Sequence, residues 1–433
     1  MDSLQRERLG TDPIRKLLFR MAAPSIVAMV MQALYNTVDS IFVSHISPAS
    51  LAAITLAYPV QMITGAMSTG IGVGINSSIS RSLGEGKPEK SSRAAANGML
   101  IGLISVGIMI LFGLFGVNAY LNFYSKDPEV IAAGMIYIRT ISLLAVGTIF
   151  TQISFSILQG SGNMLIPMVC QIAGCITVLI LDPLFILVFK IGIIGAALAS
   201  STAQIISMGI GMYGVFVRNR KNLPVRPHDF KLEGAVVKDI LAVGVPSALT
   251  QATTSVVAGI VNKIIAQYGT ATITIYGGYT RISTFGVLPV FGVTRGMNPI
   301  LGYSYGAKNR KRFMETQRLA CMTATAISVL AALFFIIFPN AVLQMIHATD
   351  EMRTFGVSAY RILGISLFIN GLSICLSQCF PPAKRSYLTM IYSVLRQVGL
   401  LIPLTILFSK LWGRTGVWVG IVLTDYLAFF IVI

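Results

Sequence analysis

Charge, histidine and patterned cysteine are scarce in this chain. Charged residues fill 11% of its 433 positions and hydrophobic ones 55%. That balance excludes an ordinary soluble domain, in which about a quarter of residues are charged. The three histidines, His45, His228 and His347, lie far apart and give no metal motif. The five cysteines, Cys170, Cys175, Cys321, Cys375 and Cys379, all fall in apolar runs. Without disulfide or metal-ligand spacing they read as small apolar side chains, and no metal site or cofactor is expected. Nothing pairs a nucleophile with a base, which argues against an intramembrane enzyme. The N-terminus is polar up to Arg20 and runs straight into an apolar stretch, so no cleavable signal peptide is expected. The end of the chain, 429–433, has no polar tail, and further residues are expected beyond it.

Acids are outnumbered, 16 against 33 Lys and Arg, giving a formal charge of +17. Such an excess can mark a nucleic-acid binder, but in a chain this apolar it marks basic loops held on the cytoplasmic side of a membrane. No nucleic-acid partner is expected. Twelve bilayer-length runs can be drawn, at roughly 21–46, 51–79, 94–118, 131–157, 165–189, 192–217, 239–267, 272–301, 316–340, 354–378, 387–409 and 413–433. The fold class expected is an all-α polytopic membrane protein with twelve transmembrane helices in two pseudo-symmetric six-helix lobes. The lobes are residues 1–217 and 239–433, joined by a basic cytoplasmic linker at 218–238. Roughly 22 basic loop residues fall on one side and about 5 on the other, which predicts both termini in the cytoplasm.

The two lobes repeat in sequence. A shift of 222 positions lays Pro24-Ser25 on Pro246-Ser247, Asn76 on Asn298, and Ser82-Leu-Gly84 on Ser304-Tyr-Gly306. Each unit has an even number of spans, so both insert the same way up. Their pseudo-two-fold axis then runs along the membrane normal, with a cavity between the lobes.

Asp39, Asp182 and Asp425 are the acids well inside the expected spans. A carboxylate at the centre of a spanning helix costs roughly 2.5–3.5 kcal/mol on insertion scales, so it is read as functional. Gln32, Tyr35 or Asn36, and Asp39 share one helix face. Asp39 and Asp182 each lie about 25 Å along their spans from the cytoplasmic end, at matched depth. Pro183 should bend the helix beside Asp182. Under the repeat shift Asp39 falls on Val261 and Asp182 on Leu404, so these acids belong to one lobe of a duplicated scaffold. Two carboxylates in a low-dielectric pocket make a proton site, because desolvation and mutual repulsion favour the neutral form. With an oxygen shell from Tyr35, Asn36, Tyr137, Gln152, Ser156, Ser200, Ser201 and Thr202 they could instead hold Na⁺. Residues expected to line a substrate cavity are Gln32, Asn36, Gln61, Met62, Gln152, Ser156, Lys263 and Arg281. Lys263 and Arg281 are read as buried cations, Arg295 and Arg361 as snorkelling near span ends, and Asp425 as the neutraliser of one buried cation. Gly-Ile-Gly-Val-Gly at 70–74 lacks a Walker lysine and reads as close helix packing.

These features, with Leu158-Gln-Gly-Ser-Gly-Asn163, Leu181-Asp-Pro-Leu-Phe-Ile186 and Gly192-Ile-Ile-Gly-Ala-Ala197, resemble the multidrug and toxic compound extrusion (MATE) transporters. The resemblance covers essentially the whole chain and is strongest to the DinF branch and its MepA-like exporters. It implies an N-lobe cation site of Tyr35, Asp39, Tyr137, Asp182 and Ser200. It also implies antiport of amphipathic, often cationic, drug-like compounds against H⁺ or Na⁺, by a monomer in the cell membrane. Val178 stands where relatives of this branch carry an asparagine, which tilts the coupling ion toward H⁺. A lipid-linked precursor flippase of the same superfamily is the second reading.

Overall fold

The computed structural model describes residues 3–43 and 48–432, with the side chains of 3–6, 39–41, 43, 48, 49 and 51 outside the description. After a short helix α1 (Ser3–Thr11) come α2 (Ile14–Val43), α3 (Pro48–Gly84), α4 (Pro88–Leu111), α5 (Val117–Tyr124), α6 (Pro128–Leu143), α7 (Ala145–Gly160), α8 (Leu165–Pro183) and α9 (Ile193–Tyr213). The second half holds α10 (Gly234–Ala266), α11 (Thr270–Gly306), α12 (Arg310–Ile337), α13 (Pro339–Met345), α14 (Asp350–Ser377), α15 (Ser386–Val394) and α16 (Ile402–Val432). No strand occurs among the described residues.

Among the described residues, eight stretches are long and apolar enough to cross a bilayer, or nine when α6 and α7 count as one bent span. Helices α3 and α11, 37 residues each, are long enough to cross but fall outside that set. The stretch Ser386–Val432 breaks at Trp412 and Gly413, where Gly413 takes the left-handed φ of 58° that a side chain would disfavour. Divided there, the described residues form the twelve rods that the apolar runs predict. The rods overrun those runs at several ends, since helical hydrogen bonding continues through polar residues. The 41° bend between α6 and α7 falls at Leu144, with no proline to signal it. Where a bend is expected at Pro183, α8 closes on that residue and a wide π-type turn, Leu184–Val188, carries the helix on.

Two apolar cores sit side by side. One joins α3, α4, α6 and α7 through Ile75, Met99, Ile138, Ile149 and Ile153; the other gathers Phe335, Tyr360, Leu363 and Trp418 of the second half. A third cluster crosses between them, setting Leu17, Met21 and Ala22 of α2 against Val293, Met297 and Ile300 of α11. In lipid such contacts gain little from the hydrophobic effect, so close backbone approach through small residues drives them. Gly70 of α3 lies against Gly244 and Ala248 of α10, and Gly292 of α11 lies against Ile26 of α2. Gly84 meets the carbonyl of Tyr303, and Gly306 meets the carbonyl of Arg81. The repeat shift maps Gly70–Ala248 onto Gly292–Ile26 and Gly84–Tyr303 onto Gly306–Arg81. The seam is therefore isologous about a pseudo-two-fold axis. The Pro-Ser pair keeps its local geometry in both halves: Ser25 donates to the Met21 carbonyl at 2.9 Å and Ser247 to that of Val243 at 2.8 Å.

All these approaches lie in the halves of α2, α3, α10 and α11 nearest the basic loops. In the opposite halves Gly65, Gly259 and Gly277 have open space where a Cβ would stand. The lobes thus meet at the basic end and part toward the other. The linker is tied to the first lobe, since Asn97 of α4 binds Lys231 and Glu233 of the linker and Leu223 is fully buried in that lobe's core.

Candidate functional site

Where the lobes converge, a cavity of about 390 Å³ opens between them. Its first-lobe wall comes from Met29 of α2, Gly72 and Asn76 of α3, and Gln152, Ser156 and Gln159 of α7. The other wall comes from Thr250 and Gln251 of α10, Phe291, Arg295 and Asn298 of α11, and Gln378. A drug-sized molecule needs roughly 300–1,000 Å³, so this is an adequate recess for part or all of one. Amides and hydroxyls set among apolar groups suit adaptable recognition. The glycine run explains the shape: a Cβ on Gly72 would overlap the Ser156 hydroxyl, while Gly70 and Gly74 face α10. Helix α3 is thereby wedged between α7 and α10. A larger hollow, about 1200 Å³, lies at the basic end beside Lys87, Lys308, Arg310 and Arg385.

Of the residues expected to line a substrate cavity, Gln152 and Ser156 line this recess between the lobes. Gln32 and Asn36 are exposed on α2 and lie outside that lining, as does Met62. Gln61 instead donates to the Tyr137 hydroxyl at 3.1 Å, joining α3 to α6 inside the first lobe. The burial expected of Lys263 and Arg281 is corrected: both are exposed, and neither lines the cavity. A hydrophobic run shows that a helix crosses, not which of its faces turns outward. Arg295, expected to snorkel, lines the cavity half-buried, while Arg361 is exposed.

In the expected cation site, Asp182 is fully buried, Tyr137 is 2% exposed, and Tyr35 and Ser200 are half-buried. The side chain of Asp39 lies outside the described residues, and so does its expected approach to Asp182. Val178, one turn before Asp182, is also fully buried and offers no oxygen there. In the second lobe Asp425 accepts from Arg396, at 3.2 Å from Nε and 2.7 Å from the terminal nitrogen. The cation that Asp425 neutralises is therefore Arg396, brought inward on the π-type turn Leu395–Leu401.

One charged cluster escaped the reading of the sequence. Arg81 of α3, just past the expected span 51–79, is 6% exposed and paired with Asp239 of α10, itself 13% exposed. Asp239 also takes Lys384 at 2.6 Å and the Ser78 hydroxyl at 3.0 Å. Ser77 donates to the Pro381 carbonyl at 2.8 Å beside it. This cluster clamps the lobes at the basic end, directly below the cavity. The available signal was a lone acid after the basic linker, which a charge count alone passes over.

Comparison with known proteins accords with this architecture. The MatE family model matches residues 24–184 and again 246–407, close to the repeat shift. The multidrug export protein MepA of Staphylococcus aureus (strain MSSA476) is 22% identical over 407 residues, covering 94% of this chain and 89% of the relative. MepA of Staphylococcus haemolyticus (strain JCSC1435) is 21% identical over 430 residues, covering 97% and 93%. Among solved structures, an outward-facing multidrug resistance MATE family transporter of the MOP superfamily superposes with a TM-score of 0.92 at 26% identity, over 98% of this chain and 95% of its own. A MATE crystal structure in the bent conformation gives 0.91 at 26% identity, over 99% and 95%. The chain belongs to the MatE family of membrane transporters.

Proposed function

We propose that the protein is a secondary active multidrug exporter that exchanges amphipathic compounds for H⁺, with Na⁺ as the less favoured ion, by alternating access. The observation that carries this reading is Asp182, fully buried in one lobe of a scaffold whose repeat places Leu404 at the same position. A buried carboxylate stays charged only at high cost unless compensated, so taking up and releasing a proton there changes the packing energy of its lobe. Fully buried Val178 supplies no oxygen ligand beside it, which favours H⁺ over Na⁺. The basic loops orient the closed end to the cytoplasm, making this the outward-open state, with the protein acting as a monomer in the cell membrane and both termini inside. Protonation of Asp182, with Asp39, from the open side neutralises the pocket, repacks α2 and releases substrate outward. The lobes then rock about the α2–α11 and α3–α10 seams, and the proton leaves inward.

The test is transport in vesicles with proton and sodium gradients imposed separately. A proton gradient alone should drive export, and Asp182→Asn should abolish drug-stimulated proton movement. Full exchange by both Asp39→Asn and Asp182→Asn would overturn the mechanism.

A further inference from the structure

The cavity between the lobes has a charge of its own. Among the described residues Arg295 is the one ionised group in its lining, with no acid beside it. Among the described residues Arg295 makes no ion pair and no hydrogen bond. Its neighbours are committed to each other or neutral: with its amide oriented to donate, Asn298 reaches the carbonyls of Thr294 and Gln378 at 3.3 and 3.1 Å. Asp39 of the first lobe lies too far away to serve it. Gly296, next to Arg295, lies against Ala22 of α2, whereas Asp39 is about 25 Å farther along that helix.

We infer that this cavity is an anion-recognition site, and that the favoured substrates are amphipathic molecules carrying a carboxylate, alone or as zwitterions, rather than simple lipophilic cations. This rests on the reading that the cleft is the substrate path. A half-buried guanidinium without a counter-charge is held at a cost, which a carboxylate removes through two parallel charge-assisted hydrogen bonds. A monovalent cation in the same recess meets only like charge in a medium less polarisable than water. Gln152 and Gln159 across the cavity add neutral donors, and Phe291 and Met29 give the apolar part of the molecule a wall. The second lobe thus supplies the substrate's counter-ion while the first lobe takes the coupling ion. Opposite charges in separate lobes let substrate and proton bind without competing for one carboxylate.

The purified full chain tests this with three matched fluorescent probes: dansyl-aminoundecanoic acid, its methyl ester, and a dansyl alkyl trimethylammonium of the same length. The native protein should bind the acid about tenfold or more tightly than the ester, as loss of a charge-assisted contact predicts. Arg295→Gln should erase that preference, Arg295→Lys should keep part of it, and Arg295→Glu should turn it toward the ammonium probe. Equal binding of acid and ester by the native chain overturns the proposal, and that comparison needs no variant to fold. An unchanged preference in Arg295→Gln overturns it as well. Transport separates the two readings. Export of the ammonium probe but not the acid leaves the exporter reading standing and sinks this one. If none of the three probes moves under any gradient, the exporter reading fails, and the binding comparison still decides the anion site.

Discussion

Replacing Asp239 by asparagine should open the closed end of the transporter. Asp239 gathers Arg81 and Ser78 of α3 and Lys384 of the turn after α14. The Arg81 side chain is 6% exposed, so removing its counter-ion strands a buried charge. Breaking a buried pair on one side costs about 3–5 kcal/mol. Lys384 is 52% exposed, so its share is largely screened by solvent. A figure of about 2–4 kcal/mol, all of it lost from the state in which the lobes meet, is reasonable for the cluster as a whole. That is roughly a thirtyfold or greater shift toward the alternate state, in which Arg81 reaches water. Spin labels at Lys87→Cys and Lys308→Cys, one in each lobe at the basic end, would report it, because all five native cysteines are buried and leave the introduced ones to react. Pulsed dipolar spectroscopy should show a longer inter-label distance gaining population in Asp239→Asn, with a smaller gain in Lys384→Met. Identical distance distributions in the parent and Asp239→Asn would refute the clamp.

Three further outcomes follow from the same contacts. Gly84→Ala and Gly306→Ala each place a methyl group against a backbone carbonyl of the other lobe, so each should cost about 1–3 kcal/mol of the closed seam and lengthen the same distance. Gly65→Ala, with open space at its Cβ, should not, and equal effects from all three would remove the argument from close approach. Asp425→Leu should destabilise the detergent-solubilised protein by about 2–4 kcal/mol since Arg396 is 32% exposed, read as a lower melting temperature, and adding Arg396→Met should restore most of it. No recovery in the double variant would mean that the pair does more than balance charge. Tyr137→Phe deletes the hydroxyl that accepts from Gln61 and should cost about 0.5–1.5 kcal/mol, read as a small drop in melting temperature with the fold intact.

Much of this protein was written locally. Apolar runs fix where helices cross, because a bilayer offers the backbone no other partner, and the bias of basic residues fixes which ends share a side. The shift of 222 residues predicts two equivalent lobes, and the glycine run at 70–74 predicts close packing. Asp182 stood out for the same reason: a carboxylate in an apolar run is costly wherever its helix ends up. What sequence could not decide was which faces meet. Arg81 and Asp239 are 158 positions apart, and only the approach of α3 to α10 turns a loop cation and a boundary acid into a buried clamp. Arg295 looks like any cation near a span end until α2, α7 and α11 close around it, and Lys263 looks buried until its face turns outward. Hydropathy and charge act over a few residues along the chain. The direction in which the cleft opens, and the charge at its base, arise from how two folded lobes lean on each other.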